Sequence, residues 1–139
     1  MLKRKEAREA LKVAIGMTDE DLDKIAPGYA KLLSIVPEAA EYQIVAEVIY
    51  SKYCFAQLEV GDKLVFDMGL ILDTEESTAP PCIGALGMLM EPIHVMWDRF
   101  AQGVDPNDSI FRTRCCIDPG LERGGLGTVC FKLTMEKKG

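Results

Sequence analysis

The hydrophobic period of this chain changes three times, and the order of those changes constrains its fold more than any other feature. Through residue 40 the apolar residues recur at helical spacing. From Tyr42 to Tyr50 the segment "YQIVAEVIY" is rich in β-branched residues and reads as a strand. A helical stripe returns over residues 82–100, and residues 110–117 and 128–135 again alternate. This pattern predicts an α+β fold with an N-terminal helical arm over residues 1–40 and a cysteine-containing α+β domain over 41–139. The second part is expected to hold a mainly antiparallel sheet of four or more strands with one long kinked helix packed on it.

Local signals place the elements. Residues 2–15 read as a helix stopped by Gly16, Thr18 reads as an N-cap ahead of Asp19, Glu20 and Asp21, and a third helix over 28–36 should stop before Pro37. The arm carries too little apolar surface to fold alone. "DKLVFDMGLIL", residues 62–72, reads as a second strand after a Gly61-Asp62 turn, and "DTEESTAPP" as a loop. Cys82, Leu86, Leu89, Ile93, Trp97 and Phe100 fall on one helical stripe. Pro92 lies inside that stripe, removes a backbone donor and should kink or split the helix near Glu91, before Gly103 ends it.

Of 139 residues, 48% are hydrophobic and 27% charged, the profile of one globular domain with a real core. No apolar run reaches the length of a signal peptide or a bilayer span, so the expected location is cytoplasmic with no membrane role. A net charge of −6 argues against nucleic-acid binding, which needs a positive surface. The basic cluster of Lys3, Arg4, Lys5, Arg8 and Lys12 reads as a solvated helix face. The five cysteines cannot all pair within one chain, and reducing conditions would keep them as thiols or metal ligands rather than disulfides.

"IFRTRCCIDPG", residues 110–120, sets Cys115 and Cys116 side by side in the first of two C-terminal strands. Alternation sends Phe111, Thr113, Cys115 and Ile117 to one face and Arg112, Arg114, Cys116 and Asp118 to the other. The apolar neighbours suggest that Cys115 faces the core. Cys116, beside two guanidiniums that favour a thiolate, is then the candidate nucleophile. A disulfide between the two adjacent residues is disfavoured by strain. On the partner strand Val129, Phe131, Leu133 and Met135 make the core face, leaving Cys130 with Lys132 on the other, near Cys116 if the register permits. The loop between the strands has four glycines but lacks the Lys-Ser/Thr ending and following helix of a phosphate cradle. It reads as a cover over a site or a partner contact. Asp105–Asp108 reads as a turn, since it lacks the spacing of a calcium loop.

Tyr53-Cys54, Gly61-Asp62, Pro81-Cys82 with Ala85, Cys115-Cys116 with Asp118, and Val129, Phe131 and Lys132 together resemble the pattern of a family of small, largely uncharacterised prokaryotic proteins. The resemblance covers about residues 42–136. It departs from the family pattern at Pro119, in the longer glycine loop and at Ile83, Gly84 and Leu86. It implies that Cys54, Cys82, Cys115 and Cys116 occupy the family's cysteine positions. Four such thiols could converge on a zinc ion or an iron–sulfur cluster, although each alone is also a common buried hydrophobe. His94, the sole histidine, is a candidate ligand or general base, set against the commoner case of a partly buried structural histidine. Glu47 and Asp67 read as residues on a solvated strand face. The leading functional expectation is a small accessory subunit with a metal-binding or redox-thiol site, working with a larger enzyme or as a homo-oligomer. A stand-alone thiol enzyme using Cys116 or His94 and a non-catalytic interaction module are the alternatives.

Overall fold

The computed structural model describes residues 1–67 and 70–139. Four short helices open the chain: α1 (Lys5–Ile15), α2 (Asp19–Asp23), α3 (Pro27–Leu33) and α4 (Val36–Ala39). There follow β1 (Tyr42–Lys52), β2 (Lys63–Asp67), β3 (Ile71–Asp73), α5 (Ile83–Ala101), β4 (Thr113–Cys115) and β5 (Thr128–Lys137). The strands form one five-stranded sheet in the order β3-β2-β1-β5-β4, with every neighbour antiparallel. The α+β expectation is met.

Strand alternation builds the inner face of the sheet. Ile44, Ala46 and Val48 of β1, Leu64 and Phe66 of β2, and Val129, Phe131, Leu133 and Met135 of β5 are buried together. Helix α5 closes this core with Ala85, Leu89, Ile93, Met96 and Trp97, while Cys82, Leu86 and Phe100 pack on its margin. All six residues of the sequence stripe therefore meet the core. Pro92 is buried inside α5, whose assigned span runs unbroken through it.

Three local expectations are corrected. Residues 62–72 are not one strand: β2 and β3 pair antiparallel, with Val65 opposite Asp73 and Asp67 opposite Ile71. The chain reverses between them, and Met68 and Gly69, within the expected strand, lie outside the described residues. An apolar run on both sides of a glycine carries no sign of which half turns back. Secondly, the third helix stops before Pro37 as expected but ends sooner, at Leu33, and a fourth helix follows with Pro37 in its first turn. There its missing N–H has no intrahelical acceptor to lose.

The third correction concerns the basic cluster. Arg8 is only 17% exposed and pairs with Asp19 at 3.1 Å and Asp23 at 2.8 Å. Its guanidinium also donates to the Leu2 carbonyl at 2.8 Å. Arg4 donates to Glu38 at 2.7 Å and to the Ser34 carbonyl at 2.9 Å. These side chains tie α1 to α2 and α4 instead of forming a solvated face, around a second small core of Leu2, Ala7, Leu11, Leu22 and Ala30. Lys3 and Lys5 remain exposed. Gly16, in the left-handed conformation at φ 70°, ends α1 with its N–H on the Lys12 carbonyl, as the sequence predicts.

Candidate functional site

Strands β4 and β5 place the cysteines. The alternation along residues 111–117 is as expected, but the faces are reversed. Phe111 is 60% exposed and Cys115 lies outward with it, whereas Cys116 packs against the core; Ile117, past the strand end, is 75% exposed but reaches Gly84 of α5. The arginines explain the reversal. Arg112 reaches from the inner side to donate to the Leu133 carbonyl at 2.9 Å, the Asn107 carbonyl at 2.7 Å and the Thr134 hydroxyl at 3.1 Å. Arg114 pairs with Glu91 of α5 at 3.5 Å. Polar backbone, the Thr134 hydroxyl and a helix carboxylate thus meet the two guanidiniums at the sheet edge, while the Arg114 Nε is buried without a hydrogen-bond partner among the described residues.

The outward position of Cys115 brings it to Cys130, and the two form a disulfide across the β4–β5 pair. The flanking ladder shows why they meet. The Cys116 N–H donates to Val129 and the Leu133 N–H to Arg112, so Cys115 and Cys130 occupy a non-hydrogen-bonded pair between them. In such pairs the backbones approach most closely, and here the Cα atoms are 4.0 Å apart. This corrects two expectations: that all five cysteines stay as thiols or ligands, and that Cys115 is a core-side ligand with Cys116 nearest Cys130. A metal ligand at Cys115 would require its sulfur to leave that bond.

Cys54, Cys82 and Cys116 are free, and all three line one cavity of about 140 Å³. They come from three distant segments. Cys54 lies in the turn after β1, between Tyr53 at φ 54° and Gln57 at φ 61°, and its carbonyl accepts from the Gln57 N–H at 3.0 Å. Left-handed conformations at residues other than glycine are uncommon and concentrate at functional sites. Cys82 is the N-cap of α5, a 19-residue helix with no acidic residue in its first turn. Any thiolate there faces the positive end of the helix dipole. Cys116 follows β4, and its thiol donates weakly to the Asp118 carbonyl at 3.8 Å. The remaining wall is chiefly apolar and includes Phe55, Ala85, Ile117 and Val129.

The glycine loop closes one side. The Asp118 carboxylate accepts from the N–H groups of Gly120 at 3.0 Å, Leu126 at 2.9 Å and Gly127 at 3.1 Å. The Thr128 hydroxyl donates to the Asp118 carbonyl at 3.0 Å. The hydrogen bonds from Gly120, Gly127 and Leu126 stabilise the ionised form and hold the Asp118 carboxyl below the usual carboxylate range. Its role escapes the sequence reading, although Asp-Pro-Gly is the signature of a side chain that caps its own turn.

The sign of the resulting pH effect follows from linkage. With the folded pKa depressed, Asp118 contributes its full stabilisation above the unfolded value and loses it as pH falls through the folded one. We expect wild-type protein to have a higher Tm than Asp118→Asn near neutral pH. The gap should close as pH drops below about 4, the ordinary range of an aspartate. Thermal unfolding of both proteins across that range checks it, and a gap independent of pH would count against the carboxylate clamp.

His94 is exposed and lines a different cavity with Phe66, Leu86 and Met90. Its Nδ1 lies 2.6 Å from the Met90 carbonyl. It follows Cys82 by three turns and more of α5, about 18 Å along the axis at helical rise, so the structure does not bring it to the thiols. Glu47 is exposed between Lys63 and Lys132 on neighbouring strands, and Asp67 pairs with Lys138. Among the described residues no group of three or more His, Cys, Asp or Glu side chains is placed to hold a metal ion. No helix among them is long and apolar enough to cross a membrane. Comparison with protein-family models, curated proteins and solved structures finds no match to this chain.

Proposed function

We propose that this chain is a small thiol-redox protein, working as an accessory to a larger enzyme, whose reactive site is the cavity shared by Cys54, Cys82 and Cys116. The observation that carries this reading is that three free thiols from separate parts of the sequence line one mainly apolar cavity. Between the two chemistries expected of such cysteines, exchange is better supported than metal binding. Cys115 is committed to Cys130, so the four-thiolate set of a zinc or iron–sulfur site is not assembled.

The chemistry available to the site is thiol–disulfide exchange. A cavity thiolate attacks one sulfur of a small disulfide and forms a mixed disulfide, expelling the other half as a thiolate that takes a proton. A second cavity thiol then attacks the protein sulfur of that mixed bond, giving an internal disulfide and a second free thiol product. Two electrons and two protons pass from the protein to the disulfide.

Oxidised glutathione is the probe. Its addition to native protein should remove two of the three free thiols, mapped by mass spectrometry, and Cys116→Ser should stop the reaction at a mixed disulfide or abolish it. Cys54, Cys82 and Cys116 unchanged after prolonged incubation, in native protein and in protein first reduced, would sink the proposal. Elemental analysis supplies the rival outcome, since stoichiometric zinc or iron that falls in Cys116→Ser would replace exchange with metal binding.

A further inference from the structure

We infer that the Cys115–Cys130 disulfide is a reducible gate on the thiol cavity, with a dithiol as its co-reactant. The inference rests on the thiol-site reading and adds its regulation. The geometry is that of two strand faces. Cys115 and Cys130 are joined on the outer face, while the next residue on one strand, Cys116, and the preceding residue on the other, Val129, both line the cavity on the inner face. The cross-link thus fastens the two strands whose inner side chains form one wall of that cavity.

β4 has three residues, lies at the sheet edge and pairs only with β5. Its other ties are the backbone bond from the Cys116 N–H to Val129, Arg112 to the β5 backbone and to Asn107, Arg114 to Glu91 at 3.5 Å, and, beyond its end, the Asp118 clamp on the loop. A short edge strand of this kind opens locally at lower free energy than the central β1–β5 pair. Access to the bond is open, because Cys115 is exposed while Cys130 is half-buried. Around it Tyr50, opposite Cys130 on β1, is 46% exposed, and Phe111 is 60% exposed.

In the reduction a thiolate of the dithiol attacks the Cys115 sulfur, forms a mixed disulfide with it and expels Cys130 as a thiolate that is protonated. The second thiol of the reductant attacks its own sulfur in the mixed bond, closes the oxidised dithiol and releases Cys115, also protonated. Two electrons and two protons reach the protein. β4 then separates from β5 more often, and Cys116, Cys54 and Cys82 are uncovered.

The test is site-resolved alkylation of the full chain in three forms: oxidised, reduced with dithiothreitol that is then removed without oxygen, and the Cys115→Ser/Cys130→Ser double variant. Cys116 should label about tenfold faster or more in the second and third forms if its exposure proceeds by local opening. The far-ultraviolet circular dichroism should stay unchanged. Rates equal in the oxidised and reduced protein would overturn the gate, as would five free thiols in protein purified in air. Loss of circular dichroism on reduction would also overturn it, because the bond would then be a staple for the whole fold. Failure of the underlying reading looks different: labelling rises on reduction, yet the uncovered thiols leave oxidised glutathione untouched.

Discussion

Gly127→Ala is expected to destabilise the protein by about 3 kcal/mol, the upper end of the range for overpacking, and to expose the thiol cavity. Gly127 is buried, and a Cβ built on it would overlap the Tyr53 carbonyl and lie 2.6 Å from the Lys52 carbonyl. Both obstacles are backbone, so no side chain can swing aside. Relief requires either that β1 part from the start of β5 or that the 118–127 loop lift away. The second route breaks the Gly127 N–H bond to Asp118 and moves a residue that lines the cavity beside Cys54. A lower midpoint in denaturant together with faster alkylation of Cys54 is the expected pair of results. Gly87→Ala is the control. Gly87 is exposed within α5, a Cβ there meets nothing within 4 Å, and the change should stabilise by about 0.5–1 kcal/mol. Equal and small effects at both positions would mean that the loop does not rest on the Tyr53 backbone.

The sequence and the structure agree where periodicity alone decides the outcome. Leu89, Ile93 and Trp97 are buried on the predicted stripe, and Val129, Phe131, Leu133 and Met135 on the predicted face. They part where two arrangements share one pattern. Residues 111–117 alternate identically whichever face is inward, and the choice is made by the acceptors that wait for Arg112 and Arg114 on Asn107, Leu133, Thr134 and Glu91. Long arginine side chains can carry their charge from an inner face to such acceptors, which local hydrophobicity does not register. The disulfide follows from that same choice. Once Cys115 is outward it shares a face with Cys130, and the register puts the two opposite each other. The convergence of Cys54 and Cys82 on Cys116 depends on the order of strands in the sheet and on where α5 begins. The spacing of cysteines along the chain contains neither.

The clamp at Asp118 and the bond at Cys115 act on the same wall from opposite ends. Asp118 fixes the loop that leads out of β4 to the residues that enter β5, through Leu126 and Gly127. The disulfide fixes the strands themselves. Reduction releases only the second constraint, so the loop can guide β4 back when the bond reforms. At low pH both constraints are absent in reduced protein, and β4 is then held by its packing, its ladder and the two arginines.

That packing is tested by Phe131→Ala, for which we expect a loss of about 3–5 kcal/mol, as for other buried phenylalanines. Phe131 is 1% exposed and lies in register between Val48 of β1 and Arg114 of β4, so its ring packs into the core on the inner face of the sheet between those two neighbours. Against the roughly 5–15 kcal/mol that holds a typical domain together, the loss is a large fraction of the total. Denaturant unfolding of oxidised wild type and variant measures it, and a loss under about 1 kcal/mol would be incompatible with a fully packed ring. The same measurement on reduced protein separates two ways of holding the edge. If the loss is as large with the bond reduced, Phe131 stays packed without the cross-link and opening of β4 is a brief excursion. If the loss shrinks by more than the additivity error of about 0.5 kcal/mol, part of the packing around Phe131 departs with the disulfide, and the gate then stands open for much of the time.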